Sequence, residues 1–336
     1  MPPAAGAAEG RTSAPPPTGH GPPFVPAASG PGWSSGGLTL LTEPGQGMGP
    51  VYALLADAIR TLDVAMYELA DARAEQILAS DAGRGVLVRV ILDGRSERQE
   101  NAAAYAYLAA RGVHVVWAPP AWSHFHEKAV VVDVGQTDQR SLVMSLNLTS
   151  RYYPTSRDFA VIDSQPADVD AIERVFDEDY RGQDSMSEPP GDDLLWSPGA
   201  GSALVALMDS ARRSLVVENE EMSAPEIIDA LTAASRRGVM VEVVMTARPD
   251  WDAAFGALLA AGVRVRTYLD VDTDLYIHAK AIVVDDTSAY VGSENFSDAS
   301  LEYDRELGVI TQAPETVAGL SAAMASDFAG ASPASG

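Results

Sequence analysis

The stretches HEKAVVVD (126–133) and HAKAIVVD (278–285) place the same residues in the same order in the two halves of the chain. Each has a His, a Lys two positions later and an Asp five positions after the Lys. The chain has no other lysine, so coincidence is a poor explanation for the shared spacing. The β-forming residues after each Lys indicate strands, and positions i and i+2 of a strand point to one side. Each half is therefore predicted to present an imidazole and an ammonium group together on one face.

The sequence around the two motifs is duplicated as well. Segments with helical periodicity end at Gly and are followed by Val-rich segments in both halves. The matching pairs are 40–69 with 194–222, 72–93 with 224–246, and 104–117 with 253–268. This alternation predicts an α/β fold that is built twice, with a mostly parallel sheet in each half.

Composition divides the chain into four segments. Residues 1–36 are rich in Pro, Gly and Ala and are predicted to form a disordered tail. Residues 37–184 and 194–330 are predicted to be an N-terminal and a C-terminal domain, each with one motif. Residues 185–193 hold turn formers without apolar periodicity and are predicted to be the linker.

The overall composition excludes several kinds of protein. Cysteine is absent, which excludes disulfides, thiolate metal sites and cysteine nucleophiles. The formal net charge of −24 argues against a nucleic-acid partner, because it repels phosphate backbones. No apolar run reaches the roughly 18 residues of a membrane-spanning helix. The tail lacks the features of a signal peptide; we prefer secretion as an expectation, since a Pro/Ala/Gly spacer before an acidic, lysine-poor chain suits an exported protein.

The similarity of the halves continues downstream of each motif. Ser and Asn follow the motif in both halves, and an acid preceded by Arg comes eleven residues after each Asn. These residues are Ser145, Asn147 and Asp158 in the first half, and Ser293, Asn295 and Glu306 in the second. Such an acid could hold a histidine in one tautomer and leave the other ring nitrogen to react.

This pattern resembles that of the phospholipase D superfamily, also called the HKD family, in its two-motif, single-chain form. The hallmark is H-x-K-x4-D, then G-S-x-N and a later acid. The second half matches throughout, whereas the first has Met144 in place of the Gly and a longer loop before Ser145. The resemblance implies two similar α/β/α sandwich domains that are related by pseudo-twofold symmetry. It also implies one active site at their interface, where phosphodiesters are cleaved through a covalent phosphohistidine.

The resemblance assigns roles residue by residue. His126 is expected to attack phosphorus, and His278 to protonate the leaving alcohol oxygen. The groups expected to bind the non-bridging oxygens are Lys128, Lys280, Asn147 and Asn295. Asp158 and Glu306 are expected to orient the histidines. The residues expected to support the motifs are Asp133, Asp285, Ser145 and Ser293. No metal or other cofactor is expected.

Other residues near the motifs are weaker candidates. His124 and Tyr276 lie two positions before the motif histidines and are predicted to contact substrate or to support the site. The segment WAPPAW (117–122) carries Trp117 and Trp122, which look exposed. A packed loop is the preferred interpretation, and contact of these tryptophans with lipid is the alternative. Glu68 and Glu221 occupy matching places after the first buried strand of each half, where they either contribute to the site or only begin a helix.

Four functions remain open from the sequence. The preferred one is a phospholipase D-like phosphodiesterase that hydrolyses phospholipid headgroups or transfers them, with transient contact to a membrane surface. The alternatives are a nuclease, a cardiolipin synthase-like phosphatidyltransferase, and a binding module that has kept only the fold. A monomer is expected, because one chain supplies both motifs.

Overall fold

A computed structural model describes residues 37–183 and 193–334 of the chain. The predicted tail (1–36) and the predicted linker (185–193), apart from Asp193, lie outside the described residues. The first half contains strands β1 (Leu38–Glu43), β2 (Thr61–Met66), β3 (Leu69–Ala70), β4 (Leu87–Leu92), β5 (His114–Trp117), β6 (Ala129–Val132), β7 (Arg140–Met144), β8 (Leu148–Thr149) and β9 (Ser156–Asp163). Its helices are α1 (Gly49–Ala56), α2 (Ala72–Gly83), α3 (Arg98–Ala109) and α4 (Pro166–Tyr180).

The second half repeats this order of elements. Its strands are β10 (Leu194–Ser197), β11 (Ser214–Glu218), β12 (Met240–Ala247), β13 (Arg264–Leu269), β14 (Tyr276–Ile277), β15 (Ala281–Val284), β16 (Ser288–Gly292), β17 (Glu306–Thr311) and β18 (Ser332–Pro333). Its helices are α5 (Ala200–Asp209), α6 (Pro225–Arg236), α7 (Asp252–Ala260), α8 (Asp298–Glu302) and α9 (Pro314–Gly330), with a 3₁₀ turn at Pro249–Trp251.

Two large sheets have the same strand order. The first runs β1-β9-β7-β6-β2-β4-β5, and the second runs β10-β17-β16-β15-β11-β12-β13-β18. Strand by strand, β6 therefore corresponds to β15 and β9 to β17. The α/β fold with two similar halves, which the duplicated sequence predicted, is confirmed.

The prediction of mostly parallel sheets is wrong. Within a half, the parallel pairs of the large sheets are β2–β4, β4–β5, β11–β12 and β12–β13, and the other pairs are antiparallel. The parallel strands are those joined by crossover helices, which that direction requires. The motif strands β6 and β15 instead turn back through short loops into β7 and β16, and a short connection permits only antiparallel pairing.

Each sheet is covered on both faces by apolar contacts. In the first half, Leu54, Leu78 and Leu108 of α1–α3 pack on one face, while Ile172 of α4 belongs to a second cluster on the other. In the second half, α5–α7 cover one face, and Leu320 and Met324 of α9 pack on the other. The result is an α/β/α sandwich in each half.

The same clusters join the two halves. The cluster around α4 includes Trp196, Leu307 and Val309 of the second sheet. The cluster around α9 includes Phe159 and Val161 of the first sheet. Strands β9 and β17 thus lie where the halves meet, and both carry predicted site residues. Across the described ranges, no helix is long and apolar enough to cross a membrane.

Candidate active site

The motif histidines and lysines lie just before strands rather than within them. His126 and Lys128 precede β6, and His278 and Lys280 fall between β14 and β15. The prediction that these residues sit on a strand is therefore wrong by a few positions.

The physical reason is that the chain crosses from one half to the other at each motif. The backbone N–H of His126 donates to the carbonyl of Arg305, at the start of β17 in the second half (3.0 Å). In the mirror arrangement β14 pairs with β9 of the first half, and the N–H of His278 donates to the carbonyl of Arg157 (3.2 Å). Each motif therefore begins beside the opposite half and ends in its own sheet.

The His and Lys side chains of each motif lie on one side, as the i, i+2 spacing predicted. In the first half both face Tyr67, whose ring meets His126 edge-on at 4.6 Å and lies 5.1 Å from the Nζ of Lys128. In the second half both approach Glu220. Each Nζ also donates to the backbone carbonyl of its own motif histidine at 2.7 Å. These bonds fix two fully buried ammonium groups against the imidazoles.

Each histidine is held by a carboxylate from the opposite half. The Nδ1 of His126 lies 2.8 Å from Oε2 of Glu306, on β17. The Nδ1 of His278 lies 2.7 Å from Oδ1 of Asp158, on β9. All four groups are buried. Because a carboxylate of the opposite half holds Nδ1 in both rings, Nε2 is the nitrogen to which we assign the chemistry.

The electrostatic surroundings differ between the two histidine–carboxylate pairs. Burial and Lys280 favour the neutral form of His278, but Asp158 and Glu220 outweigh them and raise the pKa of His278 to about 9. Burial favours the protonated form of Glu306, but His126 and Lys128 hold its pKa below the ordinary value. At neutral pH the second pair is thus an imidazolium with a carboxylate, which suits a proton donor.

The two predicted asparagines each keep a buried oxygen without a partner. Asn147 and Asn295 are nearly inaccessible, and the Oδ1 of each lacks a hydrogen bond within the described part of the chain. A buried polar atom without a partner is costly unless a ligand satisfies it. These oxygens are acceptors, so the equivalent positions in both halves point to a ligand group that donates a hydrogen bond.

The serines before these asparagines brace the acids. Ser145 Oγ donates to Asp158 (2.7 Å) and accepts from the N–H of Phe159 (3.0 Å). Ser293 Oγ accepts from the N–H of Leu307 (3.1 Å), directly after Glu306. The four extra residues of the first half fall in the hairpin between β6 and β7, so they leave Ser145 in register with Ser293.

Packing explains why the first half has Met144 where the family motif has Gly. In the second half Gly292 lies opposite Gly308, and a Cβ on Gly292 would clash with the hydroxyl of Tyr290 and the carboxylate of Glu294. In the first half Met144 lies opposite Ala160, and Leu142 takes the place of the tyrosine. The smaller side chain leaves room for the methionine.

The motif aspartates hold backbone rather than substrate. Asp133 accepts from the N–H groups of residues 59, 60 and 61, and Asp285 accepts from those of residues 212, 213 and 214. Both have φ of 54°, a left-handed conformation that Asp tolerates better than most residues. Each carboxylate thereby ties the end of its motif strand to the start of β2 or β11.

We expect Asp133→Ala to lower the free energy of unfolding by about 3 kcal/mol, because three amides lose their acceptor and Ala disfavours the left-handed backbone. Asp133→Asn, which keeps an acceptor and tolerates that backbone, should lose about half as much. Urea unfolding measures both. A stable but inactive Asp133→Ala variant would contradict this backbone role.

The other candidate residues contact protein groups. His124 Nδ1 lies 2.9 Å from Asp304, which raises the pKa of His124, and Tyr276 donates to Glu220 (2.7 Å). Trp122 is buried with Arg305 over its ring, which agrees with the preferred packed loop and not with an exposed tryptophan. Trp117 is half-buried and stacked on Tyr105 at 4.5 Å. The loop is packed because both indoles find cationic or aromatic partners inside the protein.

Glu68 and Glu221, the glutamates at matching positions of the two halves, do not make the direct contacts with the motif residues. Glu68 is buried and pairs with Arg151 (2.9 Å). Burial, followed by the neighbouring Glu220, raises the pKa of Glu221. The direct contacts come from Tyr67 and Glu220, each one position earlier, and neither residue was predicted from the sequence. One is a tyrosine and the other a glutamate, so a comparison of the two halves shows no shared residue at this position. Aligning the halves would still have shown that the two positions are equivalent.

Several buried carboxyl groups have pKa values well above those of exposed carboxyl groups. Burial is the main cause, and it raises the pKa of Glu43 and Asp163 to about 7 and that of Glu127, Glu173 and Glu294 to about 8. In the unfolded chain such groups release their protons near pH 4 to 5. The folded state therefore holds more protons between about pH 5 and 8, and stability falls as the pH rises through that window.

We expect the melting temperature to be about 5 °C or more lower at pH 8.5 than at pH 6. His278 acts in the same direction, because its raised pKa stabilises the fold below about pH 6.5 and that contribution is lost as the pH approaches 9. Differential scanning calorimetry across this range measures the trend, and Glu127→Gln should weaken it. A melting temperature that is constant or rises over the range would contradict the protonated carboxyls.

Two buried histidine–lysine pairs with crossed carboxylates define a class of phosphodiester-processing enzyme, the phospholipase D superfamily. The sequence profile of the family described as "Cardiolipin synthase, PLD-like domain" matches residues 51–180 and 204–328. The chain belongs to this family. The resemblance drawn from the motifs is thus confirmed.

Individual relatives are distant in sequence. Cardiolipin synthase B of Salmonella typhi is 24% identical, with 83% of this chain and 77% of that protein covered. The structure of phosphatidylserine synthase from Haemophilus influenzae Rd KW20 has a TM-score of 0.66 at 14% identity and covers 87% of this chain and 86% of that one. Polyphosphate kinase from Porphyromonas gingivalis also gives 0.66 at 15% identity, over 86% of this chain but only 50% of the kinase. At these identities the structures show a shared fold.

Proposed function

We propose that this chain is a phosphatidyltransferase, which moves a phosphatidyl group from a phospholipid to an alcohol through a phosphohistidine. Hydrolysis was the preferred prediction from sequence and transfer the alternative. The similarity to a cardiolipin synthase over most of both chains favours the alternative. The observation that carries the chemistry is the pair of crossed histidine–carboxylate contacts.

In the first half-reaction, the lone pair on Nε2 of His126 attacks phosphorus and forms a P–N bond. The P–O bond to the leaving alcohol breaks, and its electron pair goes to the alcohol oxygen. That oxygen takes the proton from Nε2 of His278. The products are a phosphatidyl-histidine, a free alcohol and a neutral His278.

In the second half-reaction, an acceptor alcohol loses its proton to Nε2 of His278 as its oxygen attacks phosphorus. The P–N bond breaks, and its electrons return to His126. Water in place of the alcohol would give phosphatidic acid, so transfer and hydrolysis differ only in the acceptor that reaches the intermediate.

Charge stabilisation in this scheme comes from fixed groups. A phosphodiester is an anion, and its non-bridging oxygens gain charge in the transition state. Buried ammonium and amide groups can stabilise that charge without rearranging water. The groups proposed to do so are Lys128, Lys280, Asn147 and Asn295. The proposed partners of the chain are phospholipids and, transiently, their membrane surface, with no nucleic acid and with the chain as a monomer.

The test is a product analysis with the full chain. Phosphatidylglycerol vesicles are incubated with deuterated glycerol, and the lipids are separated by mass spectrometry. We expect labelled phosphatidylglycerol and cardiolipin to exceed phosphatidic acid. Phosphatidic acid as the only product would show hydrolysis instead. If a folded protein with an intact active site formed none of the three products, the proposal would be overturned.

A further inference from the structure

Equivalent positions of the two half-sites carry different side chains. Ala65 lies opposite Ala129 in the first sheet, and Glu218 lies opposite Ala281 in the second. Two residues further along each chain come Tyr67 and Glu220. The repeat therefore places a phenol beside one motif and a carboxylate beside the other.

Glu220 contacts three groups of the second half-site. Its Oε2 lies 2.9 Å from the Nζ of Lys280 and 3.5 Å from Nε2 of His278. Its Oε1 accepts from the hydroxyl of Tyr276 (2.7 Å). Glu220 is buried, with 8% of its surface exposed, so little solvent screens these contacts.

Tyr67 meets the first motif through its ring. The ring edge faces His126, and Lys128 lies over the ring. A neutral tyrosine supplies a quadrupole at this place and no formal charge. The two motif imidazoles therefore have different neighbours: an uncharged tyrosine ring beside His126 and a carboxylate beside His278.

We propose that Glu220 is a positioning residue that gathers the imidazolium of His278 and the ammonium of Lys280 into one ion cluster and thereby makes the second half-site the proton-donating one. The inference rests on the proposed function, in which one histidine must start protonated. Asp158 lies at Nδ1 of His278 and Glu220 beside Nε2, so carboxylates flank both ring nitrogens and favour the doubly protonated ring.

Other charged groups around this cluster set its balance. Lys280 opposes the charge on His278, as does burial, while Asp158 and Glu220 favour it and raise its pKa to about 9. Glu221 repels Glu220 at short range, and Arg248 interacts with it favourably from beside Tyr276. Removal of the Glu220 charge leaves Lys280 less opposed, so the protonated form of His278 is weakened.

The first test needs no substrate and so stays informative if the proposed function fails. The full chain, labelled with ¹³C and ¹⁵N in histidine, is titrated by NMR, and the His278 signals are assigned with His278→Ala. We expect His278 to stay protonated at pH 8 in the wild type and in the exposed control Glu315→Gln. In Glu220→Gln its midpoint should fall by at least one pH unit, a tenfold loss of proton affinity. An unchanged midpoint would overturn the inference.

The second test uses leaving groups. Phosphatidyl-p-nitrophenol needs little protonation of its leaving group, whereas phosphatidylcholine needs much. We expect Glu220→Gln to lower kcat about tenfold or more with phosphatidylcholine and less than about threefold with the p-nitrophenyl ester, without raising KM. An equal loss with both substrates would indicate a merely structural role.

A shorter carboxylate keeps the inference testable if Glu220→Gln does not fold. Glu220→Asp retains the charge but withdraws it from Nε2. The His278 midpoint should then fall by a smaller amount in the same direction. A midpoint equal to that of the wild type in a folded Glu220→Asp variant would count against the inference.

Discussion

His126→Ala is expected to lower phosphatidyl transfer by about 10⁴-fold or more, because it removes the nucleophile on which both half-reactions depend. No labelled phosphate should be recovered on protein after incubation with ³²P-labelled phospholipid and an acid-free quench. The matched control is His114→Ala, since His114 is exposed on β5 and lies in no part of the site. Activity of His126→Ala near that of the control would remove the proposed mechanism.

His126→Ala should abolish both half-reactions, whereas His278→Ala should still allow the first half-reaction with a good leaving group and block the second. With phosphatidyl-p-nitrophenol the variant should still release one equivalent of p-nitrophenol and accumulate the phosphohistidine. The intermediate should then persist, because no base takes the proton of the incoming alcohol. A burst in His126→Ala but not in His278→Ala would reverse the assigned roles.

The second large effect concerns the crossed acids. Asp158→Asn is expected to behave like His278→Ala, and Glu306→Gln like His126→Ala, each with about a 10²- to 10⁴-fold loss of transfer. The reason is that Asp158 holds His278 and Glu306 holds His126, although each acid follows the other motif along the chain. The burst of p-nitrophenol distinguishes the two phenotypes.

Asp158→Asn should therefore keep the burst and Glu306→Gln should lose it. Melting temperatures measured beside the burst ensure that both variants are folded. If Asp158→Asn lost the burst while Glu306→Gln kept it, each acid would serve the histidine of its own half, and the crossed contacts would not operate during catalysis.

The sequence was sufficient to predict the duplicated fold because its repeat is carried by local signals. Gly at helix ends and Val-rich strands recur at equal spacing in the two halves. The sheet direction was missed because helix–strand alternation covers only β2, β4 and β5 and their equivalents. The remaining strands are joined by hairpins, which the apolar pattern does not distinguish from crossovers.

In the candidate site, too, some features could be predicted from the sequence and others could not. Residues within a motif, such as His126 and Lys128, could be named from spacing along the chain. The acids Asp158 and Glu306 could be named as well, but not which histidine each of them holds. Glu306 lies 180 residues from His126, and spacing carries no information on how the halves dock. Glu220 was missed since its equivalent is Tyr67, and a repeat reveals only what its copies share.

The crossed contacts also limit how the molecule can move. A hinge that swung the halves apart would draw His126 from Glu306 and His278 from Asp158 in the same motion, so both imidazoles would lose the carboxylates that hold them. The catalytically competent state is therefore the one in which the two halves are docked against each other. In the proposed reaction, substrate therefore has to reach the two histidines while the two sheets remain docked.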